Sequence, residues 1–584
     1  MRAAWFAMAL MALTAGAGEQ FASPDGKVRC AFAMTDWIVR GEEVAPVSVS
    51  VNGAGNTVVD FGKHGCGWIE VDVERAGEYF FVWGELLNEK GAVETNELFT
   101  VREGAIRCAV TKGRFEEAGK RVRVPYVKDN GSAFCDEAVG KFGVVMPFRW
   151  LEVVKSPFPV TRANVRQVPV YYPYDMTEEA FSCDDANLVA VHDFCKHSIR
   201  ATTYTGKFID GDRERLPYEA DSYITLLGTA AVTSDDTLSH AMVDYLATHT
   251  TWPTEWKQFF IRLVHEDWMR SGRTDLVRKH YRLMRDAKSW RHLRRADGLI
   301  VTRGPKAVAG PSGEEPQDIV DWGKCYRDGF VFCEVNAVVN ALHYRNLIEL
   351  AEMARAIGEG TDAVMFEAEA RATFDAYQKA FFDSAADCYC DGEGTSHHTV
   401  QANAMALACG VVPEAKIAGV ADYVSDKGFS CSTYMAQFVL EALFKAGRAD
   451  RAFELMTSDG RRSWRGMMAK GATITMEFWD LTLKEPGRVP DMNHAWSTAP
   501  LNMISRYVLG VTPSSPGWAS ASVRPNPGPL TRLSGRIPTP KGVIALQMEK
   551  VGGKWSVTVE TPVPVTFVLG NEKRELSVGR TVVL

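Results

Sequence analysis

Pro169-Val-Tyr-Tyr-Pro-Tyr-Asp175 is where the chain changes its period. Its two prolines hold the backbone extended and disfavour helix at the residues before them, so the stretch reads as a link between two kinds of structure. On its N-terminal side the apolar residues alternate: Val47-Ser-Val-Ser-Val51, Thr57-Val-Val-Asp-Phe61, Trp68-Ile-Glu-Val-Asp-Val73, Tyr79-Phe-Phe-Val-Trp83, Arg121-Val-Arg-Val-Pro125 and Phe148-Arg-Trp-Leu-Glu-Val-Val154. Many short runs of period two predict an antiparallel β-sandwich over residues 18–175.

On its C-terminal side the apolar spacing becomes i, i+3, i+4, i+7. It predicts helices at 185–203, 218–233, 235–249, 253–271, 273–293, 331–357, 360–382, 398–409, 412–425, 431–446, 448–458 and 494–509. About a dozen helices without an internal sequence period suit an (α/α)6 toroid over 176–509 better than a solenoid. Two long non-helical insertions, at 296–330 and 459–493, interrupt the helices, and loops of that length in a compact domain are usually functional. From 510 to 584 alternation returns, as in Val543-Ile-Ala-Leu-Gln-Met548 and Lys554-Trp-Ser-Val-Thr-Val-Glu560, and predicts a closing β-sandwich. The fold class is therefore multidomain α+β, a helical toroid between two antiparallel sandwiches.

Composition narrows the partners. A formal charge of -7 over 584 residues, with no Lys/Arg block, gives no footprint for nucleic acid. Met1-Arg2-Ala-Ala-Trp-Phe-Ala-Met-Ala-Leu-Met-Ala-Leu-Thr-Ala15-Gly16-Ala17 has the charge, apolar run and small-residue ending of a secretory signal peptide. No later window has the length of a membrane span, so a periplasmic or extracellular protein is expected. The twelve cysteines are too dispersed for a disulfide scaffold, leaving one or two bridges open, and Cys333, Cys409 and Cys431 read as small core residues. Cys388-Tyr-Cys390 is too tight for a zinc pair of the usual spacing, and no matching His/Cys pair follows. No metal ligands and no cofactor are assigned, bound Ca²⁺ stays open, and the sequence is silent on oligomeric state.

The densest chemistry is Phe208-Ile-Asp-Gly-Asp-Arg-Glu-Arg-Leu-Pro-Tyr-Glu-Ala-Asp221, where carboxylates are pinned between apolar flanks. The loops add Asp318, Asp321, Glu477, His494 and the aromatics Trp252, Trp256, Trp322, Tyr326, Trp479 and Trp496. There is no Gly-x-Ser-x-Gly elbow and no phosphate-binding Gly-rich loop. Carboxylates among tryptophans suit a sugar site: pyranose faces stack on indoles, and a carboxyl pair cleaves glycosidic bonds.

Asp212-Arg-Glu-Arg-Leu-Pro-Tyr-Glu-Ala-Asp221 resembles the signature Asp-Glu-Arg-Leu-Gly-Trp-x-Gly-Asp of the α-L-rhamnosidases of glycoside hydrolase family 78. Val59-Asp-Phe-Gly62, Phe148-Arg-Trp-Leu-Glu152, Trp252-Pro-Thr-Glu-Trp256, Asp321-Trp322, Gly471-Ala-Thr-Ile-Thr-Met-Glu-Phe-Trp479 and Asn493-His-Ala-Trp496 resemble further family segments, in the family order. The resemblance implies an inverting exo-glycosidase removing terminal α-L-rhamnose from a carbohydrate. Glu214 would be the general acid and Glu477 the general base, with carboxyls about 6.5–9.5 Å apart. Asp210 and Asp221 would bind sugar hydroxyls, and His494 and Trp479 would contact substrate. Arg215, Tyr218, Trp252 and Trp322 complete the candidate sugar contacts. An inward-pointing Arg215 would oppose protonation of the acid, so its orientation matters. Tyr218 stands where the family has Trp, Pro217 and Ala220 where it has Gly, and Phe478 follows the base where Arg is common. Two rivals remain: a uronate-active lyase or hydrolase relying on Arg213, Arg215, Tyr218 and Tyr326, and a catalytically inactive glycan-binding protein.

Overall fold

A computed structural model describes residues 35–95, 106–125, 139–212, 215–310, 315–480 and 491–584. The leader expected at 1–17 and the candidate acid Glu214 lie outside the described residues.

The N-terminal sheet is organised by one long strand, Thr57–Asp72. Its first half pairs with Ser48–Val51 and Met146–Lys155, its second with Val165–Tyr171 and Arg121–Arg123. The register with Met146–Lys155 shifts between Asp60 and Gly65. A strand that changes partners across such an irregularity bends. Val59, Phe61, Ile69, Phe81, Trp83, Phe115, Phe148 and Leu151 form one buried apolar cluster on this eight-stranded sheet.

Thirteen α-helices follow among the described residues: α1 (Ala186–Thr202), α2 (Glu219–Val232), α3 (Thr237–Thr248), α4 (Thr254–Ser271), α5 (Asp275–Leu283), α6 (Ala337–Ile357), α7 (Gly360–Phe381), α8 (Val400–Cys409), α9 (Ile417–Lys427), α10 (Thr433–Lys445), α11 (Ala449–Thr457), α12 (Trp464–Ala469) and α13 (Ala499–Met503). α2, α8, α10 and α13 are buried almost all round, the mark of helices with no solvent face. With α4 and α6 they form the inner ring. α2 packs on α4, α4 on α6, α6 on α8, α8 on α10, α10 on α13, and α13 back on α2, so the ring closes. α1, α3, α5, α7, α9 and α11 lie outside it; α5 buries only Leu276, Val277, His280 and Tyr281, a single stripe.

The two C-terminal sheets are a four-stranded one built on Val565–Leu569 and a five-stranded one built on Gly542–Val551 and Lys554–Thr561. The latter recruits Ala180–Cys183, a strand preceding α1, which pairs with Arg532–Thr539. Four residues whose partner lies 350 positions away leave no local pattern, and the period reading passed over them.

Other differences are local. The helix expected at 331–357 starts at Ala337 because Asn336 caps it, accepting the Val339 N–H at 2.8 Å while its amide is held by Asp318. The helix expected at 273–293 loosens into a π-turn at Met284–Lys288, and that expected at 494–509 is broken into 3₁₀, α and π segments. The second insertion contains α12, capped by Ser463 on the Gly466 N–H. All ten described cysteines are thiols; Cys409 and Cys431 are buried, but Cys333 is half-buried in extended chain before α6.

Candidate active site

The N-terminal ends of the inner helices gather at one mouth of the toroid. Tyr218 caps α2, Trp256 is in the first turn of α4, Gln401 in that of α8, and Ser432 caps α10. Helix N-termini present unpaired N–H groups and favour negative charge, so this mouth suits carboxylates.

Its floor is aromatic. Trp256 touches Tyr218, Trp252, Trp322, Tyr434 and Trp496, with ring centroids 5.3–6.4 Å apart. Tyr218, Trp252 and Trp322 are only partly buried and offer ring surface, whereas Trp256, Tyr434 and Trp496 are buried beneath them. Tyr434, on α10, was not singled out from sequence; its place in a helical repeat marks it only as core.

Glu477 sits at the edge of this floor, 1% exposed. Its Oε1 accepts the Trp322 indole N–H at 3.0 Å and its Oε2 the backbone N–H of Asp491 at 2.9 Å. The Glu477 carbonyl accepts from Thr433 Oγ1 at 2.7 Å and from Trp496 Nε1 at 3.0 Å. Both carboxylate oxygens and the backbone are thereby fixed.

Behind Trp322 lies Asp321, buried, accepting from the Trp322 N–H at 2.8 Å, Gln401 Nε2 at 2.9 Å and the Ser432 N–H at 3.0 Å, with a further bond from Ser432 Oγ. Burial pushes its carboxyl up to about 6, against the pull of these donors. The preceding Val320 takes φ +63°, uncommon for a β-branched residue, and its N–H and that of Ile319 are gripped by Glu255 of α4. Asp318, two residues earlier, accepts from Thr302 and Asn336. Asp318 and Asp321 are thus the frame that aims Trp322.

The acidic stretch divides by role. Asp212 is completely buried and accepts from Arg107, Arg215 and Tyr204; Arg215 reaches it with Nε at 2.9 Å and Nη2 at 2.7 Å. Burial raises the Asp212 carboxyl, but the two guanidiniums outweigh it and hold it below the ordinary carboxylate range. Arg215, expected among the sugar contacts, is buried in this ion pair and also donates to the Val145 carbonyl at 2.8 Å. Glu219 is buried with Lys288 at 3.1 Å and with Thr250 and Thr251. Asp210 closes the loop, its carboxylate accepting the Leu216 N–H at 3.0 Å.

Asp221 is buried at the start of α2, with His494 Nε2 3.5 Å from its Oδ1, and the His494 ring stacks on Trp496 at 4.2 Å. Asp221 and His494 are therefore brought to the aromatic floor. Trp479 is not: it is fully buried between Phe429 and Trp464, donating its indole N–H to the Cys431 carbonyl at 2.8 Å. It packs the wall behind the site.

The acidic loop and the Glu477 loop meet at Gly211, whose φ is +130°. A Cβ there would lie 2.5 Å from Asp491 Oδ2 and 2.9 Å from the Asn493 carbonyl. Four contacts from the N-terminal sheet clamp the same loops. Besides Arg107 on Asp212, Glu85 accepts Asn493 Nδ2 at 2.9 Å, His64 Nδ1 lies 2.7 Å from Thr473 Oγ1, and Arg149 donates to the Gly471 carbonyl at 3.1 Å. Arg149 is itself fastened by both carboxylate oxygens of Asp60 at 2.8 Å. Glu85 and Arg107 carried no sequence signal, since each is one charged residue in an unremarkable strand region.

A closed double ring of helices, with carboxylates on an aromatic floor at the helix N-termini, defines a six-hairpin glycosidase architecture. The profile of the bacterial α-L-rhamnosidase six-hairpin glycosidase domain matches residues 177–508, and that of the bacterial α-L-rhamnosidase C-terminal domain matches 510–582. The chain belongs to the bacterial α-L-rhamnosidase family. An α-L-rhamnosidase of Alteromonas sp. (strain LOR) is 25% identical over 240 residues, 39% of this chain and 26% of that protein. One from Formosa agariphila is 28% identical over 243 residues, 39% of this chain and 25% of that protein. The match thus spans about a quarter of the length of these curated relatives. Among solved structures, the α-L-rhamnosidase of Aspergillus terreus superposes with a TM-score of 0.75 at 17% identity, covering 93% of this chain and 63% of that one. The family 78 rhamnosidase of Bacillus sp. GL1 gives 0.70 at 21% identity, covering 90% and 54%. The Streptomyces avermitilis α-L-rhamnosidase complexed with L-rhamnose gives 0.72 at 15% identity, covering 93% and 53%. At these identities the structural likeness establishes the fold.

Proposed function

We propose that this chain hydrolyses terminal α-L-rhamnosides with inversion, using Glu477 as general base and Glu214 as general acid. The observation carrying the proposal is the Glu477 carboxylate, buried at the aromatic floor with each oxygen fixed by one N–H donor. A base needs that orientation, because it must be held within hydrogen-bond reach of the water it deprotonates. In the reaction Glu477 takes a proton from the attacking water as its oxygen bonds to the anomeric carbon, and Glu214 delivers one to the departing glycosidic oxygen. The partly buried faces of Tyr218, Trp252 and Trp322 stack the deoxy sugar, and Asp221 and His494 take its hydroxyls. Family membership and the rhamnose bound by the Streptomyces relative support this sugar. The leader at 1–17 supports export.

The uronate reading loses two of its four residues. Arg215 is engaged by Asp212, and Tyr326 is fully buried against Phe478.

The test is release of 4-nitrophenol from its α-L-rhamnoside, with the first-formed anomer read by NMR. Wild type should release β-L-rhamnose first. Glu477→Gln and Glu214→Gln should each lose about 10²–10⁴ in kcat. Full activity in either variant, or the α anomer first, overturns the assignment.

A further inference from the structure

Outside the toroid mouth, the connection from α7 to α8 gathers three side chains of metal-ligating type. One ligand atom each from Asp383, Cys390 and His398 lie within 4.8 Å of one another. Among the described residues this is the one such group of His, Cys, Asp and Glu. The backbone sets it up. Phe382–Asp383 pairs antiparallel with Cys388–Tyr389, the Cys390 N–H donates to the Phe381 carbonyl at 2.8 Å, and Cys390 stands directly opposite His398 in an antiparallel bridge. Asp383 is oriented within this hairpin. Its Oδ1 accepts the N–H groups of Ala385 and Ala386 at 2.9 and 3.4 Å, while its Oδ2 lies 3.1 Å from His398 Nε2.

We infer that Asp383, Cys390 and His398 form a zinc site that staples the α7–α8 connection. Thiolate, imidazole and carboxylate are the ligand types zinc accepts, and a mixed S/N/O set with a thiolate argues against calcium or magnesium, which take oxygen ligands. With metal–ligand bonds of about 2.0–2.3 Å, neighbouring ligand atoms of a tetrahedron stand roughly 3.3–3.7 Å apart. The 3.1 Å between Asp383 Oδ2 and His398 Nε2 is near that spacing, and the remaining separations are no more than 4.8 Å. Three protein ligands leave a fourth position for water.

The surroundings favour a cation. Cys390 is buried, and Asp383 and His398 are half-buried. Asp391, next to Cys390, is fixed by Thr399 Oγ1 at 2.7 Å and by His397 Nδ1 at 2.7 Å, which keeps a buried carboxylate beside the ligands. The spacing that disqualified Cys388 with Cys390 as a zinc pair does not apply, because the partner of Cys390 is eight residues on, across the bridge.

The full chain, stripped with chelator and dialysed, is titrated with Co²⁺ as a spectroscopic probe. One equivalent should produce a thiolate-to-cobalt charge-transfer band with tetrahedral d–d absorption, and stoichiometric Zn²⁺ should erase both. Cys390→Ser should abolish the charge-transfer band. His398→Gln should weaken cobalt binding at least tenfold and remove the zinc-dependent rise in Tm, while Cys325→Ser, at an exposed cysteine, should change nothing. If Cys390→Ser fails to fold, the half-buried His398→Gln carries the same prediction. Absence of the band in wild type, or its survival in both ligand variants, overturns the site. The readout is the metal itself, so the result is independent of whether the chain cleaves rhamnosides.

Discussion

Trp322 donates its indole N–H to Oε1 of Glu477 across 3.0 Å, and the same ring lies against Trp252 and Trp256 on the site floor. One side chain therefore serves two ends, a stacking surface and a charge-assisted bond to the proposed base. The two can be separated. Trp322→Phe keeps an aromatic face and deletes the donor. With the donor gone and the stacking face kept, kcat should fall about tenfold with KM nearly unchanged, in line with the roughly 1.5–3 kcal/mol of a charged hydrogen bond. An unchanged kcat would sever Trp322 from the base.

Gly211 is the point at which the two halves of the site touch. Gly211→Ala places a Cβ 2.5 Å from Asp491 Oδ2, at a φ of +130° that costs an L side chain about 1–3 kcal/mol. Asp491 must shift, and its N–H is the donor on Glu477 Oε2. The expected outcome is a kcat/KM loss of at least tenfold on nitrophenyl rhamnoside, beyond what a small drop in Tm explains. Wild-type turnover would show that the loops tolerate separation.

Arg107 reaches from the N-terminal sheet to Asp212 in the acidic loop. Arg107→Ala removes one of the two guanidiniums that, among the described residues, hold this fully buried carboxylate, and losing a hydrogen bond to a charged group costs about 1.5–3 kcal/mol. Asp212 is held below its ordinary pKa, so the stability it contributes is complete above about pH 4, the unfolded value, and is lost as pH falls through its native pKa. The variant should therefore show its largest loss by denaturant unfolding at neutral pH and a smaller one at pH 3. A uniform loss across pH would point to packing instead.

These clamps explain what could be read from the chain and what could not. Periodicity located the toroid because the helices of both rings carry apolar residues at i, i+3, i+4 and i+7. Trp252 was legible because it directly precedes Pro253 at the start of α4, and Trp322 because it follows Asp321 within the first long insertion. Trp479 misled because residues two apart in irregular chain need not share a face: Glu477 turns to the floor and Trp479 to the wall. Arg215 misled because a guanidinium beside carboxylates looks the same in sequence whether it serves substrate or a buried aspartate. Glu85 and Arg107 act across 408 and 105 positions of chain, distances at which a lone charged residue carries no pattern.

Glu85 gives the sharpest pH prediction. It is completely buried, its Oε1 accepting from Asn493 and its Oε2 from the Arg107 N–H at 2.8 Å, and burial pushes its carboxyl up to about 8. A native pKa above the unfolded value of about 4.5 means that the folded protein holds a proton the unfolded chain has released. The contribution of Glu85 is complete below that unfolded value and is lost as pH rises to its native one, at about 1.4 kcal/mol per pH unit. Glu85→Gln carries no titrating proton and keeps an acceptor for one of the two donors. Relative to wild type, its stability in urea should rise steadily between about pH 4.5 and the native pKa and level off above it. A difference that is flat with pH would mean that Glu85 is already ionised in the folded protein, paired more strongly with the Asn493 loop than its burial allows.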